Sequence, residues 1–546
     1  MSGPFVIFMI DYLCFVRYLN YGYLNSLIKE RRIILMSKKL KALMGSTIAF
    51  FLLTACSGGK LPAMDEEEAN AIKENIKIVT DTDNKVYGNI RLVTEMDGAS
   101  IKWKASVKDV ISTQDEGELK AGVVTRQEED TTVTLTANIE KDGKGATYTQ
   151  DIVVAKAAPE IYDEDYEAYL FGHFVGESYG KQEGSVKIAT GEQMFFALAD
   201  VGQGLKFKDL NGSTMNNLKP VLSSTVGERG VRDPFMLRSP EGDTFYLIAT
   251  DLSVYTRGGW GNNNGETKFT INGSHSITLW ESHDLVNWTE GRLIEVAAPN
   301  AGMAWAPEMI YSEETGEYVI FFSSTLIGRD ENGEHPFIEY RDCIYYTTTR
   351  DFHHFTETKK FIKNQPYPAG QEDPQKSSDS PKALNNDERK IIDASVMKIG
   401  DWYYSACKDG DNHENNGGIL IQKTQNLFDP DSWQKVMHLA DLGMQVQSRT
   451  ADNKCLEGPE WFWYNVADRA NADTPEIGLM ADFYANTSVG YIPFATTDVE
   501  DTTNANSSWR LLKSGTDYSW DKQTKRHGTI MRITYDEAER LKEAYK

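Results

Sequence analysis

The chain has 546 residues, more than one ordinary hydrophobic core accommodates, so at least two folded units are expected. Its formal net charge of −24 at pH 7 argues against nucleic acid or an anionic lipid surface as the main partner, because both require a basic face. The five cysteines, at positions 14, 56, 343, 407 and 455, show neither the paired spacing of a metal site nor a dense disulfide pattern.

Residues 36–56 have the pattern of a secretory signal. A basic start at Met36 is followed by an apolar run and then by Leu53-Thr54-Ala55-Cys56. This tetrapeptide resembles the bacterial lipobox, in which the cysteine becomes the lipidated first residue of the mature protein. We therefore predict a lipoprotein of the bacterial cell envelope, periplasmic or on the outer-membrane surface, that is anchored through lipid on Cys56.

The segments on either side of this signal are predicted to carry no fold of their own. Residues 1–35 contain an apolar stretch that Asp11 and Arg17 interrupt before it could span a membrane. We expect translation to begin at Met36, so that residues 1–35 are not part of the native protein. Residues 57–75, rich in Gly, Ser and acidic side chains, are predicted to be a flexible tether.

Residues 76–157 alternate apolar and polar side chains with the period of a β-strand. Val133, Leu135, Ala137 and Ile139 fall on one face, and Asp142-Gly143 supplies a turn. About 80 residues of short strands predict a small β-sandwich. The segment resembles the reduced bacterial immunoglobulin-like domains that precede many secreted glycan-degrading enzymes, and a spacer role is favoured over a binding role.

Residues 160–546 repeat one pattern five times. In each copy a polar residue introduces a short apolar strand, and the five polar residues are separated by 64 to 85 residues. They are Asp233, Glu308, Asp393, Glu457 and His527. Further strands follow each of the first four, so about four strands make up a repeat. This is the signature of a five-bladed β-propeller, which makes the chain an all-β protein.

The fifth blade is predicted to be split between the two ends of the domain. Residues 169–174, 194–198 and 205–210 supply three strands before the first polar-headed one, whereas the strand after His527 has no partners downstream. We expect these four strands to form one sheet that closes the ring and leaves no exposed edge.

If the polar-headed strand is the innermost of each blade, its five polar residues converge at one height in the central channel. Buried carboxylates are costly unless they are neutralised, hydrogen-bonded or used. Crowding also separates their pKa values, so that one can act as an acid and another as a base at the same pH. Hydrolysis of a glycosidic bond requires such a pair.

The order and spacing of these motifs resemble glycoside hydrolase family 43, the five-bladed arabinofuranosidases and xylosidases. The resemblance implies that Asp233 is the general base, that Glu457 is the general acid, and that Asp393 orients Glu457 and modulates its pKa. Two positions depart from the usual motifs: Ala394 follows Asp393 where Pro is usual, and the Trp-Ala-Pro motif ends in Glu308 rather than Asp. No cofactor is required, but the family often holds calcium or another cation on the propeller axis near the residue that corresponds to His527.

Tryptophans are the candidates for sugar stacking, because an aromatic face packs well on a sugar ring. Trp260, Trp305 and Trp461 are predicted to contact substrate together with Glu308, although some tryptophans are expected to belong to the core. Trp260 lies in an insertion, residues 255–274, that either walls a pocket or forms an exposed loop.

The favoured function is an inverting exo-glycosidase that removes terminal α-L-arabinofuranosyl residues from plant polysaccharide side chains. A β-xylosidase or a galactosidase of the same fold remains an alternative. A glycan-binding lipoprotein without catalysis would lack the acid or the base, and an interaction scaffold would lack clustered carboxylates. The sequence contains the acid, the base and the set of carboxylates, so both alternatives are less favoured.

Overall fold

The computed structural model describes residues 61–262, 268–329, 332–333, 336–363, 390–409, 418–444, 456–484, 489–503 and 508–546. The chain divides into two units, residues 1–64 with 143–145 and residues 65–142 with 146–546. The predicted start at Met36, the signal and Cys56 lie outside the described residues. No helix among the described residues is long and apolar enough to cross a membrane.

Part of the predicted tether is a helix, so the prediction of a flexible segment is wrong there. Helix α1 spans Glu66–Asn75, and Asp65 caps it by accepting hydrogen bonds from the backbone N–H groups of Glu67 and Glu68. Three glutamates in its first turn complement the positive end of the helix dipole. The acidic run that resembled a solvated linker is therefore a helix start.

The immunoglobulin-like module contains a five-stranded sheet with the order β1-β5-β4-β3-β2. Its strands are β1 (Lys85–Val86), β2 (Glu95–Met96), β3 (Ala99–Ala105), β4 (Thr131–Lys141) and β5 (Lys144–Val154). The predicted inner face of β4 is buried, from Val133 to Ile139 at every second residue. The alternation in the sequence thus reports the core side of this sheet correctly.

The following domain is built from strands β6 to β29 and ends in helix α2. The first group is β6 (Tyr166–His173), β7 (Gly180–Glu183), β8 (Val186–Ala189), β9 (Phe195–Ala199), β10 (Leu205–Lys206), β11 (Lys208–Asp209), β12 (Val231–Arg238), β13 (Phe245–Asp251), β14 (Ser276–Ser282) and β15 (Arg292–Glu295). The second is β16 (Trp305–Ser312), β17 (Glu317–Arg329), β18 (Pro336–Thr349), β19 (Lys359–Ile362), β20 (Ile391–Ile399), β21 (Trp402–Asp409), β22 (Gly418–Thr424) and β23 (Gln434–His438). The last is β24 (Leu456–Trp463), β25 (Ile477–Phe483), β26 (Tyr491–Thr496), β27 (Arg510–Leu511), β28 (Tyr518–Ser519), β29 (Thr529–Thr534) and α2 (Tyr535–Ala544). Short 3₁₀ turns occur at Asp163–Asp165, Trp260–Asn262, Leu439–Leu442 and Val466–Asp468.

These strands form five four-stranded sheets, which confirms the five-bladed propeller. Blades 1 to 4 are the consecutive sheets β12–β15, β16–β19, β20–β23 and β24–β27, and blade 5 has the order β11-β9-β6-β29. The inner strands β12, β16, β20, β24 and β29 pack against one another in a closed ring. The polar-headed strand is therefore innermost in every blade, as predicted.

Blade 5 closes the ring in the predicted way, with one difference. Strand β29 pairs antiparallel with β6, so Thr529 lies opposite Gly172. The predicted third strand, residues 205–210, is divided: β10 pairs in parallel with β28, whereas β11 is the outer strand of blade 5. The ends of the propeller are thus joined by two separate strand pairings.

The inner strands of blades 1 to 4 share a β-bulge, a place where one strand has an extra residue. The pairing register shifts just after Arg232, Trp305, Ile392 and Glu457. The residue that follows each of these has a positive φ: 49° at Asp233, 45° at Ala306, 54° at Asp393 and 52° at Gly458. Left-handed backbone is strained for Asp and Ala, and such strain often accompanies a functional site.

The immunoglobulin-like module is docked on the propeller by buried arginines, which goes beyond the expected spacer role. The guanidinium of Arg350 donates to the carbonyl oxygens of Ile90 and Ala121 in the module and of Thr315 in the propeller. Arg126 in the module makes a two-pronged ion pair with Asp243 of blade 1, at 2.8 and 2.6 Å. These contacts hold the module to the outside of blades 1 and 2.

Candidate active site

The bulge that blades 1 to 4 share shows which residues of their inner strands are equivalent. With blade 5 added, the equivalent residues form three rings around the channel. The first ring is Arg232, Trp305, Ile392, Glu457 and Arg526. The second ring is Asp233, Ala306, Asp393, Gly458 and His527. The third ring is Phe235, Glu308, Ser395, Glu460 and Thr529. Blade 5 is aligned by a repeated bond: the Trp461 N–H donates to the Ser395 hydroxyl at 3.1 Å, and the Met236 N–H donates to the Thr529 hydroxyl at 3.2 Å.

This alignment corrects the prediction that five polar residues share one height. Asp233, Asp393 and His527 do lie in the same ring, but Glu457 precedes it by one residue and Glu308 follows it by two. The bulge is the reason, because an extra residue reverses which side chains face the channel.

Asp233 is held by its neighbours on both sides. Its Oδ2 accepts a hydrogen bond from the Thr250 hydroxyl at 3.0 Å, and its Oδ1 lies 3.5 Å from Nδ1 of His527. The positive φ of Asp233 turns the carboxylate at the start of the inner strand. The side chain is 17% exposed, so these neighbours do not enclose the carboxylate completely.

Asp393 is fixed from two neighbouring blades. Its backbone N–H donates to the Ser323 hydroxyl at 2.9 Å, and its Oδ2 accepts the Gly458 N–H at 3.2 Å. Burial raises the pKa of Asp393 to about 6, against the opposing influence of His527 and Lys408. This carboxyl is therefore protonated over a substantial part of the mildly acidic range.

Glu457 is held between two cations. Nζ of Lys408 lies 2.6 Å from its Oε2, and the Arg526 guanidinium lies 3.4 Å from its Oε1. Burial by itself raises the pKa of Glu457, but Lys408 and Arg526 outweigh it and hold the pKa below its usual range. Without substrate, the proton that a general acid needs is thus held more readily by Asp393 than by Glu457.

The third ring contains a pair of buried carboxyls, Glu308 and Glu460. Both are almost fully buried, at 3% and 2% exposure. Burial and the facing Glu460 raise the pKa of Glu308 well above its ordinary value, and burial raises the pKa of Glu460 to about 7. Two buried carboxyls that influence each other in this way resist ionisation of both at once, so a proton stays on the pair below the raised pKa values. Glu308, predicted to bind substrate, lies beneath the site instead.

Two of the three predicted tryptophans lie near the first ring. Trp260 and Trp305 make an edge-to-face contact with their ring centroids 6.3 Å apart, and Trp260 is 43% exposed. Nε1 of Trp260 donates to Glu177, which also accepts from Arg232, so the insertion is tied to the head of blade 1. This part of the insertion therefore forms the rim of the channel.

Trp461 does not belong to the site, which corrects its prediction as a substrate-binding residue. It is buried in the core of blades 3 and 4 and packs against Trp509, with ring centroids 6.2 Å apart. The bulge again explains the difference, because it places Glu460 toward the channel and turns Trp461 outward.

His527 packs tightly on the second ring. A Cβ at position 458 would lie 2.5 Å from Cγ of His527, so only glycine fits there. Among the described residues, no group of three or more His, Cys, Asp or Glu has an arrangement that could hold a metal ion, so a cation near His527 stays a prediction. We derive no role for a cation from this arrangement.

Sequence reasoning missed three residues of the site: Lys408, Arg526 and Glu460. Arg526 directly precedes the predicted His527, and Glu460 stands in the Glu457-Gly458-Pro459-Glu460 motif. Lys408 lies on the second strand of blade 3, opposite Ile392. Only an alignment of second strands between blades would have shown that this lysine is unusual.

Two segments of the chain match known protein families. Residues 164–539 match the family described as "Probable glycosyl hydrolase domain", a relative of glycoside hydrolase family 43, and residues 69–157 match the "Atrophied bacterial Ig domain" family. A protein named alpha-L-arabinofuranosidase from Bifidobacterium longum subsp. longum is 30% identical over 451 residues. That match covers 76% of this chain and 37% of the relative, so the chain spans little more than a third of the relative's length.

Solved structures show more distant likenesses. The α-L-arabinofuranosidase from Lactobacillus brevis has a TM-score of 0.31 and 17% identity, over 55% of this chain and 76% of that chain. A GH43 β-1,3-galactosidase has a TM-score of 0.36 and 10% identity, over 65% of this chain and 57% of that chain. These values bear on neither substrate nor mechanism.

Proposed function

The chain belongs to the glycosyl hydrolase family that is related to glycoside hydrolase family 43, and from this premise we propose that it is an inverting exo-α-L-arabinofuranosidase. The observation that carries the proposal is the meeting of Asp233, Asp393 and Glu457 at the head of one channel, where their charges influence one another. The name of the B. longum relative supports arabinofuranose as the sugar.

In this proposal Asp233 is the general base. A base must present a lone pair to the attacking water while its own position stays fixed. The Thr250 hydroxyl occupies Oδ2 of Asp233, and Oδ1 faces the side of the channel where His527 lies. Water held against Oδ1 gives its proton to Asp233 as its oxygen attacks the anomeric carbon.

Glu457 is the general acid in this proposal. It protonates the glycosidic oxygen, so that the leaving group departs as a neutral alcohol. Asp393 lies beside it, bonded to the N–H of the next residue, Gly458. The two carboxyls are thus held at a fixed orientation to each other, which suits the modulating role proposed for Asp393.

The placement of the two residues on blades that are not adjacent supports inversion of the anomeric centre. Asp233 lies on blade 1 and Glu457 on blade 4, and blade 5 separates these blades around the ring. Inverting enzymes need about 6.5–9.5 Å between their carboxyl groups to admit a water, whereas retaining enzymes need about 5–5.5 Å. Proton NMR of the first-formed sugar is the test, and a retained anomer would overturn the roles of Asp233 and Glu457.

The substrate assignment is tested with nitrophenyl glycosides. We expect α-L-arabinofuranoside to be hydrolysed faster than β-xyloside or galactosides, and branched arabinan or arabinoxylan to release single arabinose units. Trp260 and Trp305 at the rim supply an apolar edge for a terminal sugar. If xyloside or galactoside is turned over ten times faster than arabinofuranoside, the assignment of the sugar is wrong, whereas the assignments of the acid and the base are unaffected. Failure to cleave any of them would favour a glycan-binding protein.

We also propose that the enzyme is a lipoprotein of the bacterial cell envelope, carrying lipid on Cys56. The support is the lipobox-like sequence Leu53-Thr54-Ala55-Cys56. Metabolic labelling with a fatty-acid analogue should mark the native protein and not the Cys56→Ser variant. Equal labelling of both would refute the anchor, and any native peptide from residues 1–35 would refute a start at Met36.

A further inference from the structure

Blades 1 to 4 use one position of their second strand in the same way, with a single exception. This position lies opposite the first-ring residue and is occupied by Thr250, Ser323, Lys408 and Asp482. In three blades its side chain accepts a backbone N–H from the second ring of the next blade. These bonds are Ala306 N–H to Thr250 at 2.8 Å, Asp393 N–H to Ser323 at 2.9 Å and His527 N–H to Asp482 at 3.2 Å.

Lys408 cannot take part in this pattern, because an ammonium group has no acceptor. The N–H that it would serve, that of Gly458, donates to the Asp393 carboxylate instead. The Lys408 side chain reaches Glu457 at 2.6 Å, and its Nζ lies 4.5 Å from the centre of the Tyr484 ring. In the other three blades this position makes a hydrogen bond to the next blade's backbone. In blade 3 the lysine instead contacts the carboxylate of the proposed acid.

Three groups that can carry positive charge reach Glu457 from two directions. Lys408 comes from blade 3, and Arg526 and His527 come from the segment that enters blade 5. Two acids oppose them: Asp393 lies beside Glu457, and Asp482 lies opposite it on β25 and binds Arg526 at 2.6 Å. Arg526 is thus shared between two carboxylates, whereas among the described residues the ion pair of Lys408 is with Glu457.

We propose that Lys408 is a positioning residue for the acid: it fixes the orientation of the Glu457 side chain and keeps it ionised until substrate enters. This proposal rests on the assignment of Glu457 as the general acid. The ammonium holds Oε2 of Glu457 on the blade 3 side. In the substrate-free protein the site is therefore poised with an anionic acid rather than a protonated one.

Catalysis then requires one proton to enter with the substrate. Glu457 takes this proton from solvent as the contact with Lys408 loosens, and passes it to the glycosidic oxygen as the bond to the anomeric carbon breaks. Asp233 meanwhile accepts a proton from the attacking water and later returns it to solvent. One proton enters and one leaves, so the hydrolysis stays balanced.

The experiment compares Lys408→Met with Lys408→Arg and with Lys423→Met. Lys423 is a matched control, because it lies on the next strand of the same blade and pairs with Glu500 instead. The alkaline limb of kcat/KM against pH reports the acid of the free enzyme. We expect Lys408→Met to move this limb to higher pH by about 1–3 units, because an opposite charge in contact has been removed. Lys408→Arg and Lys423→Met should keep the wild-type limb.

A second measurement follows Glu457 without using activity. Protein labelled with ¹³C at the glutamate carboxyl is titrated by NMR, and the Glu457 signal is the one absent from Glu457→Gln. Its midpoint should rise in Lys408→Met, and in Lys408→Gln if the methionine variant does not fold. An unchanged midpoint and an unchanged pH limb in folded variants would overturn the proposal. A raised midpoint in a protein that hydrolyses no glycoside would refute the proposed function and retain the effect of Lys408 on Glu457.

Discussion

The buried pair of Glu308 and Glu460 predicts that the protein loses stability as the pH rises from about 4.5 to 7. Burial raises the pKa of Glu460 to about 7 in the folded protein, whereas an unfolded glutamate titrates near its ordinary value of about 4.3. Between these two values the folded state holds a proton that the unfolded state has lost. The stabilisation is therefore complete below the unfolded pKa and disappears as the pH passes through the folded pKa.

The magnitude follows from the width of this window. One bound proton corresponds to about 1.4 kcal/mol of unfolding free energy per pH unit, so Glu460 accounts for a loss of about 4 kcal/mol across the window of about 2.7 units. The pKa of Glu308 is raised as well, which extends the loss to higher pH. At 2–3% exposure, solvent screens neither group appreciably.

The perturbation is Glu460→Gln, which keeps the size of the side chain and offers an amide N–H to Glu308. We expect the variant to match the wild type near pH 4 and to be more stable by about 4 kcal/mol near pH 8. Urea unfolding at a series of pH values measures this difference. The control is Glu313→Gln, which removes a carboxyl that is 81% exposed and should leave the pH dependence unchanged. Parallel pH curves for wild type and Glu460→Gln would refute the raised pKa of this buried pair.

The other predictions concern the acid, the base, its neighbour and the docked module. Glu457→Gln should cost about 10²–10⁴-fold in turnover of a substrate with a poor leaving group and much less for an activated aryl glycoside, since the latter needs little protonation; equal losses would contradict the acid role. Asp233→Asn should be severe on both substrates, and azide should restore turnover if Asp233 is the base. Asp393→Asn removes a negative charge beside Glu457, so the alkaline limb should move to lower pH, the opposite of Lys408→Met; an unmoved limb with an unchanged rate would make Asp393 purely structural. Arg350→Ala leaves buried carbonyl oxygens without a donor and should lower the unfolding free energy by about 3 kcal/mol. Urea unfolding measures this loss, with Lys108→Ala as an exposed control. Equal stability of the Arg350→Ala variant and the wild type would mean that the module is not firmly docked.

The propeller was predictable because its sequence repeats. Five polar-headed strands set the number of blades, and the absence of partners after His527 predicted that β29 would pair with strands far earlier in the chain. A fold predicted from repeats stays correct when one strand is misassigned, since each of the other blades supports the same interpretation. The helix at Glu66–Asn75 was missed because a capped acidic helix start and an acidic linker share a composition.

The side chains that face the channel from each inner strand could not be predicted from the alternation of apolar and polar residues alone. A strict period of two from Glu457 would direct Trp461 into the channel and Glu460 into the core, and the structure has the reverse. A single extra residue at Gly458 causes the reversal. The same effect places Glu308 in the third ring, below Asp233 and Asp393, instead of among them.

Lys408 escaped prediction for a different reason. Its role depends on the contrast with Thr250, Ser323 and Asp482, which becomes visible only when second strands are placed opposite their first strands. A lysine in a strand is ordinarily interpreted as a solvated side chain. Its burial beside Glu457 comes from the ring of blades, which no local pattern encodes.

The closure of blade 5 has a consequence for biosynthesis. The inner strand of that blade is β29, and Arg526 and His527, which face Glu457 and Asp233, lie immediately before it. During vectorial synthesis blades 1 to 4 emerge from the ribosome before this strand exists, so the channel stays open and Asp482 and Asp233 lack their partners Arg526 and His527. The proposed active site is therefore assembled only when the propeller has been translated almost to its last strand, and a polypeptide released earlier has blades but lacks Arg526 and His527.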